Sequence, residues 1–192
     1  MVLNRTCYNM GSSHHPETCG SGRWISLLRY ASFGEKNMNW TQLKNSIYNW
    51  DGSWRDIYVK NTSPKDWEKW VQYVNANFEI KWHNAKLNRD EQKIDFSVIQ
   101  EYWRGNSELI STAQIFLDKI QINSHFFGND EIENDIDPRE FKSMEDHQKL
   151  IKYLKGISNH LGKPVILTQE NISDIILIEV NGDQVILNTI DE

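Results

Sequence analysis

The chain has 192 residues, with 21 Lys and Arg against 27 Asp and Glu, a formal net charge of −6 and a pI near 5.5. Its apolar fraction of 39%, with eight Trp, is sufficient for a buried core and excludes collagen-like, low-complexity and wholly disordered chains. The acidic balance argues against binding along a nucleic-acid backbone, because such binding needs surplus Lys and Arg. Composition therefore indicates one globular domain, or two small ones, without indicating a reaction.

Charge and cysteine are unevenly distributed along the chain. Residues 1–37 have four basic and two acidic side chains, both cysteines and little periodicity, whereas the remainder has a net charge of −8. This change predicts that residues 1–37 are an N-terminal extension, poorly ordered or not native, and that residues 38–192 form a single domain. No metal site is expected in the extension, because its four potential ligands do not have the spacing of a zinc site. These ligands are Cys7, His14, His15 and Cys19.

The sequence also bears on the compartment. No window approaches 18 uninterrupted apolar residues, so no transmembrane helix is predicted. Cys7 and Cys19 could form a disulfide only in an oxidising compartment, and no cysteine follows residue 38, which is typical of a reducing cytoplasm. We therefore expect a cytoplasmic protein that does not contact a membrane.

The first half of the domain predicts two helices and two strands. In chain order these are a helix over 40–50, a strand over 55–59, a helix over 64–74 and a strand over 78–82. The second helix has the clearest start, because Ser63 can cap it, Pro64 suits its first position and Asp66 suits its third. Trp67 and Trp70 lie on its apolar stripe, which places them in the core.

The second half predicts a further helix and several strands. Residues 94–103 could be strand or helix, and we favour a strand; residues 113–117 and 120–127 form a hairpin pair. Ser143 caps a long helix that Gly162 ends. Strands follow over 165–167, 175–180 and 184–189, the last two joined at an Asn-Gly turn. These elements predict an α+β domain, in which about three helices pack on a mixed or mainly antiparallel sheet of about six or seven strands.

An acidic stretch is the most distinctive local feature. Alternate residues between 131 and 137 are acidic, so in an extended chain four carboxylates share one face. They are Glu131, Glu133, Asp135 and Asp137. We interpret the stretch as a strand with a solvated acidic edge, although spaced carboxylates could also bind Mg²⁺ or Ca²⁺. Like charges on one face repel each other unless a cation or a basic partner lies opposite.

Other candidate chemistry is sparse. His83 and His125 are interpreted as core or strand-edge residues, and no nucleophile–base pair can be assembled in the domain. The sequence has no glycine-rich phosphate loop, and no catalytic residue, metal or cofactor is predicted. Trp54, in a turn beside Arg55, is the tryptophan expected to be exposed.

Three segments resemble small bacterial proteins associated with polymorphic-toxin and contact-dependent inhibition systems, namely the immunity proteins and their relatives. They are EIENDIDPRE at 131–140, LGKPVILTQEN at 161–171 and WDGSWRDIYV at 50–59. The likeness covers about residues 38–189 and has no counterpart for residues 1–37. It implies a non-catalytic protein that binds a toxin domain and blocks it.

This resemblance implies a basic protein partner, since a toxin that cleaves nucleic acid presents a basic cleft to an acidic inhibitor. The expected contact residues are Trp54, Arg55 and Tyr58, together with Glu131, Glu133, Asp135 and Asp137. Two other hypotheses stay open. One is a metal-dependent hydrolase or nuclease that uses the carboxylates of 131–137, and the other is a structural or regulatory domain with its own oligomer interface.

Overall fold

The computed structural model describes residues 31–34, 38–107 and 110–189. In these residues four α-helices and ten β-strands are present. The helices are α1 (Trp40–Ser46), α2 (Pro64–Asn77), α3 (Phe96–Trp103) and α4 (Met144–Leu161). The strands are β1 (Ala31–Gly34), β2 (Arg55–Lys60), β3 (Glu79–Asn84), β4 (Arg89–Glu91), β5 (Ala113–Leu117), β6 (Ile120–His125), β7 (Glu131–Ile136), β8 (Val165–Gln169), β9 (Ile172–Asn181) and β10 (Gln184–Thr189).

All ten strands belong to one sheet, in the order β1-β10-β9-β8-β2-β7-β6-β5-β3-β4. Each neighbouring pair is antiparallel, and β2 lies in the interior between β7 and β8. The predicted α+β class with a mainly antiparallel sheet is confirmed. The predicted counts were too low, since the described residues contain one more helix and at least three more strands.

Local capping explains why the two long helices were predicted well. The Ser63 side chain accepts a hydrogen bond from the Asp66 backbone N–H while the Asp66 carboxylate accepts from Ser63, which forms a capping box at the start of α2. Ser143 caps α4 in a similar position. Gly162 ends α4 with φ +65°, a left-handed conformation that glycine adopts without strain.

The helices pack on one face of the sheet. The main contacts of α4 with the sheet are with β8 and β9, and α2 packs beside α4. Trp67 and Trp70 are fully buried and meet edge to face, with ring centroids 5.4 Å apart. Their predicted place in the core is therefore confirmed. Among the described residues, no helix has both the length and the apolar character needed to cross a membrane.

Two local predictions were wrong. The strand favoured over 94–103 is instead the helix α3, capped by the Asp95 carboxylate, with Val98 and Ile99 buried. The first helix ends at Ser46, well before residue 50. The chain leaves the helix here because the backbone carbonyl oxygens of Ile47 and Asn49 accept hydrogen bonds from the Arg55 guanidinium.

The edges of the sheet differ most from expectation. Strand β1, which lies before the predicted domain boundary at residue 38, pairs with β10 from Ala31 opposite Thr189 to Gly34 opposite Ile186. The three-residue strand β4 was also not predicted. Most of residues 1–37, including both cysteines, lie outside the described residues, so the expectation for that segment stays a prediction.

Candidate protein-binding surface

The face of the sheet opposite the helices, called the outer face below, is acidic at its centre. In β7 the alternate residues Ile132 and Ile136 are buried on the helix side, which directs Glu133 and Asp135 to the outer face. The strand register then places residues of the two adjacent strands, β2 and β6, beside these carboxylates. Asp56 of β2 lies opposite Asp135, and the next outer pairs bring Tyr58 and His125 beside Glu133. We call Asp56, Tyr58, His125, Glu133 and Asp135 the acidic cluster.

Asp56 is the most enclosed carboxylate of the cluster. Its side chain accepts hydrogen bonds from the Tyr58 hydroxyl at 3.0 Å and from the Asn171 backbone N–H at 2.7 Å. Burial nevertheless raises the pKa of Asp56, and the charges of Asp135 and Glu170 act in the same direction. The two hydrogen bonds only partly offset the cost of keeping this carboxylate ionised.

Glu133 is even less compensated. Its carboxylate accepts no hydrogen bond from the described residues. Burial raises its pKa, the charge of Asp56 adds to this, and the nearby cations His125 and Lys60 oppose it. Lys60 is itself engaged elsewhere, because its Nζ lies 2.6 Å from Glu131 and 4.0 Å above the Tyr58 ring centroid. Glu133 is therefore a partly buried carboxylate without a dedicated cation.

Asp135 is the exception, since it has a direct partner. Its Oδ2 lies 2.6 Å from His125 Nε2, and its Oδ1 accepts a 2.7 Å hydrogen bond from Asn123. The hydrogen bond between His125 and Asp135 is the main cause of the raised pKa of His125, and it favours the imidazolium form. The His125 ring also stacks on Phe127, whose side chain is 72% exposed.

His125 also lies near a hydroxyl group. Thr112 Oγ1 is 3.4 Å from His125 Nδ1, while Asp135 holds the other ring nitrogen. The contact with Thr112 is long for a hydrogen bond to a hydroxyl group. The His125–Asp135 pair is the shorter and better-defined contact, at 2.6 Å.

The structure places the predicted contact residues at different depths. Glu131, Glu133 and Asp135 share the outer face as expected, but β7 is an interior strand between β2 and β6, not an edge. Tyr58 also points to this face, although it is only 7% exposed. Asp137 follows the end of β7, where its carboxylate caps a 3₁₀ turn and pairs with Arg139 at 2.7 Å.

Arg55 and Trp54 do not fit the expected exposed surface. Arg55 is 1% exposed on the helix side, where its guanidinium holds the loop between α1 and β2, so it is an internal anchor and cannot contact a partner. Trp54 is half-buried, and its backbone N–H donates to Glu170. Among the tryptophans that the structure describes, Trp50 is the exposed one, at 45%.

Sequence reasoning missed two members of the cluster. Asp56 was passed over within an apolar strand, although an acidic residue among Ile, Tyr and Val indicates an outward or functional position. His125 was set aside as a core or edge residue. Neither residue can be placed beside residues 131–137 until the pairing register of β2, β6 and β7 is known.

The described residues contain no group of three or more His, Cys, Asp or Glu side chains arranged to hold a metal ion. The cluster instead joins two carboxylates with raised pKa values to a His–Asp ion pair.

The fold and this surface define an α+β protein with a single antiparallel sheet, helices on one face and an acidic outer face. Comparisons with protein-family models, with characterised proteins and with solved structures find no match.

Proposed function

We propose that this chain is a non-catalytic protein-binding module of the immunity type, which neutralises a basic bacterial toxin domain in the cytoplasm through its outer face. The resemblance of residues 50–59, 131–140 and 161–171 to immunity-type proteins is one support. The acidic cluster is the other, and it fits a partner that brings Lys or Arg side chains.

The observation that carries the proposal is the pair of carboxylates Asp56 and Glu133, neither of which forms a salt bridge with a Lys or Arg side chain of the described residues. Both have raised pKa values, and the charge of Asp56 contributes to the raised pKa of Glu133. A lysine or arginine brought against Glu133, the more exposed of the two, would favour the ionised forms of both carboxylates and lower both pKa values. Binding a basic partner would then relieve an electrostatic cost that the free protein retains.

Charge also favours fast association. The chain has a net charge of −6, so it attracts a basic surface over distances of about one Debye length. Phe127 stands exposed beside His125 and can add an aromatic contact next to the charged pairs. Charge would set the association rate and the partner's orientation, while buried contacts would set its residence time.

The metal-dependent alternative has no comparable support in the described residues. Titration calorimetry with Mg²⁺, Mn²⁺ and Ca²⁺ tests it separately: saturable binding that Glu133→Gln abolishes would favour that alternative over ours. Light scattering of the purified chain tests whether it forms an oligomer through a surface of its own.

The proposal is tested by sequencing the neighbourhood of this chain's gene, to find the gene of a secreted toxin, and expressing the domain of that toxin with the chain; a neighbourhood that encodes no toxin counts against the proposal. We expect growth rescue and a saturable complex by calorimetry, and we expect Asp56→Asn and Glu133→Gln each to weaken it about tenfold or more, since each removes a charge pair. Glu68→Gln is the matched control, because it removes the same charge from an exposed position of α2.

Two results would overturn the proposal. One is failure of the wild-type chain to bind or neutralise the neighbouring toxin when both are folded. The other is a loss of affinity in Glu68→Gln as large as in Glu133→Gln, which would reduce the effect to net charge.

A further inference from the structure

A second concave site lies away from the acidic cluster, between α1, the loop that follows it and the chain segment 138–142. It is a pocket of about 290 Å³, near the lower end of the volumes that hold small ligands. None of the residues that line it belongs to the acidic cluster. Its chemistry is opposite to that of the outer face.

Stacked aromatic rings form one wall of this pocket. Tyr48 stacks with Phe141 at a centroid distance of 4.4 Å and 14° between planes, and with Trp40 at 5.9 Å and 30°. The Tyr48 hydroxyl is fixed by His147, whose Nδ1 lies 2.7 Å away. These contacts fix the aromatic wall before a ligand arrives, so that little ordering of side chains is needed on binding.

Trp50 is the exposed aromatic side chain at this pocket. It is 45% exposed, and the Arg139 guanidinium lies 4.0 Å from its ring centroid. The Asp137 carboxylate holds Arg139 through two hydrogen bonds to Nε, at 3.0 and 3.1 Å, and one to Nη2, at 2.7 Å. The tryptophan and the cation thus form an ordered edge of the pocket.

The charge of the lining is unusual for this chain. Lys44, Arg139 and Lys142 line the pocket, and none of its lining residues is acidic, although the whole chain has a net charge of −6. Asp137 offsets one of these charges through its pair with Arg139. Lys44 and Lys142 are both exposed, so their ammonium groups are accessible to an anion.

From these observations we infer that the pocket binds a nucleoside monophosphate. The base would stack on Trp50, the accessible aromatic side chain, because every base presents a flat π-face, while the buried rings of Tyr48 and Phe141 support the pocket wall. The phosphate, with a charge between about −1.5 and −2, would be bound by Lys44 and Lys142, neither of which forms a salt bridge with the described residues. The amides of Asn45 and Asn49, which also line the pocket, can donate to and accept from the edge of the base.

This inference is independent of the proposed toxin binding, since the two sites share no residue. It is tested by titration calorimetry of the full chain with AMP, GMP, CMP and UMP in turn, and with adenosine and inorganic phosphate as partial ligands. We expect saturable binding of at least one monophosphate. Adenosine and phosphate alone should bind at least tenfold more weakly, because each supplies only half of the contacts.

Variants locate the site. Trp50→Ala should weaken binding about tenfold or more, in keeping with the loss of one stacked base, whereas Trp50→Phe should restore most of it. Lys142→Gln should also weaken it. Lys65→Gln is the matched control, since Lys65 is an exposed lysine of α2 that does not line the pocket, and it should change affinity less than twofold.

Three results would overturn the inference. They are the absence of saturable binding of all four monophosphates at millimolar concentration, equal affinity for inorganic phosphate and for the best monophosphate, and equal weakening by Lys65→Gln and Lys142→Gln. Thermal unfolding of each variant shows that the fold is retained, and the Trp50→Phe variant keeps the test valid if Trp50→Ala is unstable.

Discussion

Replacing Arg55 by alanine should destabilise the protein strongly, because its side chain organises a loop from inside the fold. The side chain is 1% exposed. Its Nε donates to the Ile47 carbonyl at 3.0 Å, its Nη2 to the Asn49 carbonyl at 2.7 Å and its Nη1 to the Trp54 carbonyl at 2.9 Å. The same guanidinium also pairs with Asp51 at 3.3 Å.

The size of the effect follows from what alanine leaves behind. Hydrogen bonds to a charged group contribute about 1.5–3 kcal/mol each, but they are not additive, and the outer loop carbonyls regain water in the variant. We therefore expect Arg55→Ala to cost about 3–5 kcal/mol, the range for breaking a buried charged network. Arg55→Lys should recover only part of this, because an ammonium cannot reproduce the planar fork.

Urea unfolding followed by tryptophan fluorescence measures this cost, provided that the slope against urea is unchanged. Arg89→Ala is the control, since Arg89 is 66% exposed and pairs with Glu91 on the surface. Its stability should stay close to that of the wild type. An Arg55→Ala variant no less stable than Arg89→Ala would refute the anchoring role and return Arg55 to the binding surface.

Three further predictions concern the core and the acidic cluster. Trp70→Ala should lower the free energy of unfolding by about 3–5 kcal/mol in urea titrations, because the ring is fully buried; a change within about 0.5 kcal/mol would place it on the surface. The His125 pKa, followed by NMR, should exceed its ordinary 6.5 and fall in Asp135→Asn. The stability that this ion pair contributes should be complete below pH 6.5 and lost as the pH rises through the raised value; a His125 pKa at or below 6.5 contradicts the pairing. Glu133→Gln should raise the free energy of unfolding at neutral pH, because the raised Glu133 pKa makes its ionisation destabilising. The gain should vanish below pH 4.5, where the carboxyl is protonated in both states, and an equal gain at both pH values would point to packing instead.

Sequence patterns predicted the parts of the fold that depend on nearby residues. Helices α2 and α4 each begin with a serine cap that bonds to the residue three positions later, and each has an apolar stripe along one side. The β5–β6 hairpin likewise depends on a short turn at Asp118, which has φ +61°. Such signals are complete in the sequence, so they can be recognised without the tertiary structure.

Elements that depend on distant contacts were harder to predict. The spacing of the apolar residues in 94–103 is compatible with the periodicity of a helix and with that of a strand. The Asp95 cap, together with packing against α2, selects the helix. Strands β1 and β4 are too short to show a period, and they exist through pairing with β10 and β3. Tertiary context therefore decided each of these segments.

In the outer face, too, some features depend on nearby residues and others on distant contacts. Four alternate carboxylates were expected on one face of a strand; Glu131, Glu133 and Asp135 do share it, whereas Asp137 lies past the end of β7 and caps a turn. Asp56 joins them only through the register of two strands about 80 residues apart in the chain. Arg55 was expected among the contact residues beside Trp54, whereas it is 1% exposed, and a buried arginine with a full set of acceptors is an exception to the usual exposure of charged side chains.

We propose that the outer face, rather than the helix-covered side, receives a basic protein. The most direct test is NMR chemical-shift mapping of the labelled chain during titration with the toxin domain that the co-expression test identifies. We predict shifts or broadening at the amides of β2, β6 and β7, centred on Asp56 and Glu133, while α4 stays unperturbed. Changes confined to α2 and α4, with the outer strands unaffected, would contradict the claim.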